Sequence, residues 1–387
     1  MSQSPTPQEL IQQRFEALFL DVKSARFMVK NTGQPALSVV EIEQSKTTRS
    51  LLRIEKQAIQ EKDLNTKSTL SFLANITGQI NLEVERRVEE ELKDIEPIYS
   101  KIIGVDEALP ELLDMVSIKA ATISKIEPIA SEIPWLFNDL MKFVNQKKYQ
   151  RTDNKGKVIL VESMRVGLNF FGLENLSIIV SSLMLKRSLP QITDPYPQIK
   201  LRIWEEALAT AMSCKKLATV VGLHPNHAYC LGMFQVLGKI AITKLYFRHF
   251  EAVQREALKE TQNDQKHEEH SALTKIIPTG EFLNQLISKH ALTLSAELID
   301  RMQMKRVFIA NAMREVANDK PIKNLSPLGL VLKQGIAYAQ YRMLKGHKLV
   351  DLEQSKDFIR LLGMPKGALQ VLKSTDMRAI ELHTQDA

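Results

Sequence analysis

Two glycines inside one apolar helical segment constrain this fold more than any other feature of the sequence. Residues 203–242 read IWEEALATAMSCKKLATVVGLHPNHAYCLGMFQVLGKIAI, with apolar side chains at spacings of three and four. This spacing predicts two helices in a tight hairpin, the first ended by Gly222 and the second opened by Pro225. Gly232 and Gly238 lie inside the second helix, where each costs about 1 kcal/mol relative to alanine. We therefore expect another backbone to approach closely at both glycines.

The same hairpin resembles the paired helices of the HDOD family, the HD-related output domains of bacterial signalling proteins. The positions that carry the resemblance are Trp204, Ala228, Gly232, Gly238 and Lys239. Further phrases of that family follow one another in the expected order between residues 109 and 318, and the resemblance extends over about residues 105–345. It implies an all-α, multi-helix HD-like bundle in two lobes, and a role in bacterial signal transduction.

The resemblance also indicates where an HD metal site would lie. In the HD superfamily, a histidine follows the tryptophan and an adjacent His-Asp pair precedes the second glycine; here those positions hold Glu206, Gln235 and Val236. A carboxylate binds hard cations, an amide oxygen does so weakly, and an isopropyl group not at all. A phosphohydrolase of this kind needs its metal. We therefore predict a degenerate HD motif with no catalytic residue, metal or cofactor, whose groove binds a protein partner or a small effector.

Two other functions are weighed against this noncatalytic signalling role. A divergent metal-dependent phosphohydrolase acting on nucleotides would need replacement ligands, for which the candidates are His224, His227, His249 and His290. A nucleic-acid binder would use the basic residues and Tyr149 in the segment 142–157. His267 and His270 have a spacing at which two imidazoles can share an ion, but their charged surroundings favour a solvated face. We favour a regulatory protein that binds a signalling-protein partner or a small effector, and we expect no nucleic-acid partner.

Composition and cysteine content agree with a cytoplasmic protein. The hydrophobic content of 44% and charged content of 25% are ordinary for a soluble globular chain, and the net charge is +7. Cys214 and Cys230 lie on the predicted apolar faces, so we expect buried, reduced thiols. The N-terminal residues lack a basic stretch followed by an apolar one, and we expect neither export nor membrane association.

We divide the chain into three parts. Residues 1–104 form a helical N-terminal region of unknown role outside the resemblance. Residues 105–345 form the HDOD-like domain, with a front lobe to about residue 190 and an HD-like lobe from about residue 198. Residues 346–387 form a C-terminal helical extension. No segment shows the alternation of a strand more clearly than helical spacing, so the expected fold class is all-α.

The N-terminal region is expected to contain three helices. They cover residues 7–30, residues 38 to about 63, and about residues 67–96, where Pro97 ends the third. The third helix has an apolar stripe and a charged face of mixed sign. We predict that the stripe packs on the core; a short coiled coil or a sensory partner is the alternative.

Overall fold

The computed structural model describes residues 6–31, 53–118, 121–147, 151–152 and 158–382. Its main helices are α1 Pro7–Leu20, α2 Val22–Asn31, α3 Arg53–Leu92, α4 Ala108–Val116, α5 Ile123–Ser131, α6 Leu136–Val144, α7 Met164–Ser188, α8 Ile199–Val220, α9 Pro225–Phe234, α10 Leu237–Asn263, α11 His267–Leu273, α12 Gly280–Arg301, α13 Ala310–Ala317, α14 Pro327–Gly346, α15 Leu352–Leu361 and α16 Ala368–Ser374. Shorter helical turns cover Ile95–Pro97, Ile98–Ile103 and Ile322–Asn324. The fold is all-α, as predicted. Within the described ranges its one strand pairing is a minimal antiparallel hairpin of β1 Arg151–Thr152 and β2 Val158–Ile159.

The two glycines lie where helices meet backbone to backbone, as the sequence predicted. A Cβ added at Gly232 would lie 2.7 Å from Cα of Ala211 on α8. A Cβ added at Gly238 would lie 2.0 Å from the carbonyl oxygen of Ala291 on α12. Between α8 and α9, Gly222 has a φ of +74°, which agrees with its predicted role as a helix stop. These contacts bring α8, α9, α10 and α12 together as the centre of the bundle.

The second helix of the hairpin is broken, which the sequence analysis did not predict. α9 ends at Phe234 and α10 begins at Leu237, so Gln235 and Val236 form the junction. The Ser295 hydroxyl on α12 donates to the Gln235 carbonyl oxygen at 2.7 Å and accepts from the Gly238 N–H at 2.8 Å. Neither residue of the junction is a glycine or a proline, so the local sequence does not indicate a break. The Ser295 hydroxyl of a distant helix stabilises it.

The predicted first helix is two helices, with Asp21 between them. Asp21 has an extended backbone, with a φ of −156°. Its carboxylate accepts a hydrogen bond from the Ser24 N–H at 3.1 Å, which is the arrangement of an N-cap. The prediction of one helix over residues 7–30 was therefore wrong, because a capping signal inside an apolar pattern was overlooked.

α3 is longer than predicted. It runs without interruption from Arg53 to Leu92, so the expected division near residues 63–67 is wrong, and no glycine or proline is present there to end a helix. The predicted start of the second helix at Ser38 lies outside the described residues.

The apolar stripe of α3 packs along α10, as predicted. The buried residues of the stripe are Ile76, Ile80, Val84 and Val88. Side chains on the charged face of α3 form ion pairs with the domain. These pairs include Arg87 with Glu256 at 2.6 Å and Lys289 with Glu89 at 2.6 Å. α3 is therefore in contact with the helical core through both of its faces.

The two ends of the described chain meet on the same side of the core. Buried Arg14 on α1 donates to the Leu349 carbonyl oxygen at 2.6 Å and to the Gln354 side-chain oxygen at 2.7 Å. Gln354 also forms a capping box with Asp351 at the start of α15, a helix whose limits were not predicted. That capping box was the sequence signal that could have found α15.

Two stretches are long and apolar enough, by composition, to cross a membrane. They are Met164–Ser188, and Pro225–Asn263 taken as a single stretch. The most apolar window of the first is 72% buried and that of the second is 83% buried inside the fold. Burial of this extent is typical of the central helices of a bundle. Cys214 and Cys230 are buried among these helices, as predicted.

Candidate functional site

Glu206, one of the three predicted HD-site positions, forms a buried ion pair with Lys239. The Lys239 ammonium on α10 lies 2.5 Å from a carboxylate oxygen of Glu206 on α8, and the two side chains are 12% and 2% exposed. A buried carboxylate needs a compensating charge, which here comes from a lysine of the same chain. Lys239 was singled out from the sequence as a packing residue; the structure places it against Glu206.

Two aromatic rings of the N-terminal region cover this ion pair. The Lys239 ammonium lies 5.4 Å from the ring centroid of Phe15 and 5.2 Å from that of Phe19, both on α1. Both rings are 2% exposed. At this distance a ring face attracts a cation, more strongly when water is excluded. Sequence reasoning missed Phe15 and Phe19, because they lie outside the family resemblance and no local pattern ties them to Lys239.

Gln235 and Val236 complete the site without adding a metal ligand. Val236 is fully buried and Gln235 is 3% exposed. The Gln235 side-chain nitrogen is buried and has no acceptor among the described residues. The described part of the chain also contains no group of three His, Cys, Asp or Glu side chains that could hold one metal ion. The metal of an HD site therefore does not fit the residues present, and the side chains at all three positions are almost entirely buried.

Trp204 lies on the other side of α8, at the edge of an open cleft. The cleft has a volume of about 610 Å³ and lies between α8, the end of α14 and the segment after α16. Its charged and aromatic lining includes Trp204, Arg342, Lys345 and Arg378. We call this feature the Trp204 cleft. Sequence reasoning identified Trp204 but not the three cations, because they come from segments that become neighbours only in the folded chain.

The four histidines considered as replacement ligands do not converge. His224 and His227 stack on each other at 4.1 Å between ring centroids, at the start of α9. His249 contacts Glu91 at 2.8 Å, and His290 lies 3.3 Å from Glu89. The last two histidines therefore take part in the contact between α3 and the domain.

His267 and His270 are also engaged separately. The His270 Nδ1 atom lies 3.2 Å from the Thr261 hydroxyl, whereas His267 is exposed. The basic segment considered for nucleic acid is mostly outside the described residues, including Lys148, Tyr149, Lys155 and Lys157. That interpretation stays a prediction.

His227 should make the protein less stable in mild acid. Burial, and secondarily His224, lower the pKa of His227 from 6.5 to about 4, whereas Asp114 acts in the opposite direction. As the pH falls through this interval, the unfolded chain gains a proton at His227 that the folded chain does not, so the free energy of unfolding decreases. Urea unfolding at pH 7 and pH 5 should show a smaller decrease for His227→Gln than for the wild type. The same substitution at exposed His267 should keep the wild-type decrease; equal decreases in all three proteins would contradict the prediction.

The helices α8 and α9 cross at small residues, Gly232 against Ala211, within an all-helical bundle. Residues 105–285, which include this hairpin, match the family model of the HDOD domain. The family predicted from Trp204, Gly232 and Gly238 is thereby confirmed. The matched range stops before the predicted limit near residue 345. No curated protein matches the chain in sequence.

Two crystal structures from Shewanella amazonensis SB2B are similar to the chain. One is of a provisionally named phosphohydrolase, with 13% identity, a TM-score of 0.44, and coverage of 72% of this chain and 92% of that one. The other is of a provisionally named metal-dependent phosphohydrolase, with 13% identity, a TM-score of 0.43, and coverage of 78% of this chain and 95% of that one.

Proposed function

We propose that this protein is a noncatalytic regulatory protein of bacterial signal transduction, which binds a signalling protein or a small effector. The observation that carries the proposal is the Glu206–Lys239 ion pair, with 2.5 Å between its charged atoms, at the position of a former metal ligand. A lysine ammonium at this distance competes directly with any cation for the carboxylate. Hydrolysis of a phosphate ester by HD chemistry needs a metal to activate water and to neutralise charge.

The packing of α1 supports the same proposal. Phe15 and Phe19 lie over Lys239, so a phosphate ester cannot reach the pair unless α1 moves. α1 is in turn held by Arg14, whose guanidinium donates to Leu349 and Gln354. An arrangement of this kind stabilises a fold and leaves outer surfaces for partners. We propose a cytoplasmic location for the protein, in keeping with its composition.

The test is metal binding and phosphohydrolase activity of the purified full chain. After equilibration with manganese and gel filtration, we expect far less than one metal ion per chain. We also expect nucleotide hydrolysis to be equal with manganese and with chelator. Glu206→Leu combined with Lys239→Met removes the ion pair without leaving a buried charge, and it should change neither result. Stoichiometric manganese, together with chelator-sensitive hydrolysis that this double variant abolishes, would show that the protein is a divergent phosphohydrolase instead.

A further inference from the structure

The Trp204 cleft is separate from the degenerate HD site. Trp204 and Glu206 are two residues apart on α8, so their side chains leave the helix about 200° apart. Glu206 is 1% exposed and faces Lys239, whereas Trp204 is partly exposed and lines the cleft. The cleft volume of about 610 Å³ lies within the roughly 300–1,000 Å³ that is typical of small-molecule sites. The cleft can therefore be occupied without disturbing the ion pair.

The cleft carries an excess of positive charge. Arg342, Lys345 and Arg378 line it, and none of them forms an ion pair with a carboxylate in the described part of the chain. The Glu205 carboxylate, which also lines the cleft, is bound by the buried guanidinium of Arg202, at 2.5 Å. Cations that converge in a concave site without a carboxylate partner attract an anionic ligand.

Asp376 is the remaining acid at the cleft, and it is engaged with the backbone. One of its carboxylate oxygens accepts a hydrogen bond from the Arg378 N–H at 2.9 Å. The positive field also acts on His347: burial, and then the charge of Arg202, lower its pKa, with Arg378 among the groups that act in the same direction. The cleft is thus lined by three cations and two carboxylates, and both carboxylates already accept hydrogen bonds from the protein.

The cationic groups come from two sides of the cleft. Arg342 is anchored by a hydrogen bond of 3.4 Å to the Tyr338 hydroxyl. Arg378 reaches towards α14, since a Cβ added at Gly346 would lie 3.4 Å from its guanidinium nitrogen. A guanidinium presents a planar fork of donors that matches phosphate oxygens, and two such forks can hold successive phosphate groups. The chemistry therefore favours a phosphorylated ligand over a simple carboxylate.

The remaining wall of the cleft is aromatic and apolar. Trp204 and Leu208 lie between the Trp204 cleft and a second hollow of about 210 Å³, and both residues line each of them. Arg378 also lines both cavities, and Lys186 adds a further cation to the smaller one. The Trp204 side chain is partly exposed. A partly exposed indole ring beside cationic side chains is suited to stacking with a planar base.

We propose that the Trp204 cleft binds a nucleoside di- or triphosphate. The base lies against Trp204 and Leu208, and the phosphates contact Arg342, Lys345 and Arg378. This inference rests on the proposed regulatory function and names its small effector. No bond is made or broken in the cleft.

The test uses Trp204 as its own reporter. The chain has two tryptophans, and Trp135→Phe leaves Trp204 as the only one. In this full-length background, ATP should change the fluorescence of Trp204 in a saturable way. Adenosine and tripolyphosphate, which each supply half of the ligand, should bind more weakly than ATP. Arg342→Gln and Arg378→Gln should each weaken ATP binding about tenfold or more, as expected for the loss of a charge-assisted hydrogen bond.

Lys259→Gln is the matched control, since it removes one positive charge from an exposed position on α10 outside the cleft. It should leave ATP affinity within about twofold, since a distant exposed charge is screened by salt. The inference is overturned if ATP gives no saturable signal, if tripolyphosphate binds as tightly as ATP, or if Lys259→Gln weakens binding as much as Arg378→Gln.

The failure of this inference can be distinguished from failure of the proposed function. ATP binding that depends on Arg378, together with metal-dependent hydrolysis that depends on Glu206, would overturn the noncatalytic role and support nucleotide binding in the cleft. A protein with neither hydrolysis nor nucleotide binding would overturn only the proposal that the cleft binds a nucleotide.

Discussion

Lys239→Met should lower the free energy of unfolding by about 3–5 kcal/mol, because it leaves the Glu206 carboxylate buried without its cation. Glu206 is 1% exposed, so water cannot replace the lost partner unless the core opens. The substitution keeps an unbranched side chain of similar length beneath Phe15 and Phe19. The loss should therefore come from the charge rather than from packing, and urea unfolding measures it.

A second substitution isolates this electrostatic contribution. Glu206→Leu combined with Lys239→Met removes both charges and should recover most of the lost stability, since an apolar pair of similar volume can replace a buried ion pair. Lys93→Met is the exposed control, because Lys93 and its partner Glu90 are 70% and 65% exposed. Little measurable change is expected there. If the double variant is less stable than Lys239→Met alone, the two residues do not act as a pair.

The sequence predicted the centre of this fold because its signals are local. Gly232 and Gly238 fall inside a strong helical pattern, and a glycine there needs a reason such as close contact with a neighbouring backbone. Both contacts were found, against Ala211 and Ala291. The prediction that Glu206, Gln235 and Val236 hold no metal likewise came from three residue types at three positions, by resemblance to a known family.

Contacts between segments that are distant in sequence could not be predicted from local patterns. Phe15 covers Lys239 because α1 packs against α8 and α14, which no pattern within α1 indicates. The Trp204 cleft joins three segments, and Arg378 belongs to a stretch that carries no motif. The break at Gln235 depends on the Ser295 hydroxyl of α12. In each case the contacting residue is distant in sequence, so the contact could be found only in the tertiary structure.

Gly238→Ala should be strongly destabilising because its new methyl group would meet backbone rather than a side chain. The added Cβ would lie 2.0 Å from the Ala291 carbonyl oxygen and 2.9 Å from the Ser295 backbone nitrogen. α10 and α12 would have to separate, and the Gly238 N–H would be drawn away from the Ser295 hydroxyl. We expect a loss at or above the upper end of the ~1–3 kcal/mol typical of overpacking. Gly78→Ala in α3 is the opposite control: no atom lies within 4 Å of its new Cβ, and it should gain roughly 0.5–1 kcal/mol.

Gly335 is a third closely packed glycine, but the atom nearest to an added Cβ there belongs to a side chain rather than to the backbone. A Cβ at Gly335 would lie 2.4 Å from the Cys214 sulfur, so Gly335→Ala should also destabilise the fold. Cys214→Ala removes that sulfur and should restore much of the stability lost in Gly335→Ala. No equivalent rescue exists for Gly238→Ala, because Ala291→Gly leaves the obstructing carbonyl oxygen in place. Thermal unfolding of Gly335→Ala/Cys214→Ala and of Gly238→Ala/Ala291→Gly tests this contrast. If Ala291→Gly restored the stability lost in Gly238→Ala, the clash would not be with the backbone carbonyl oxygen.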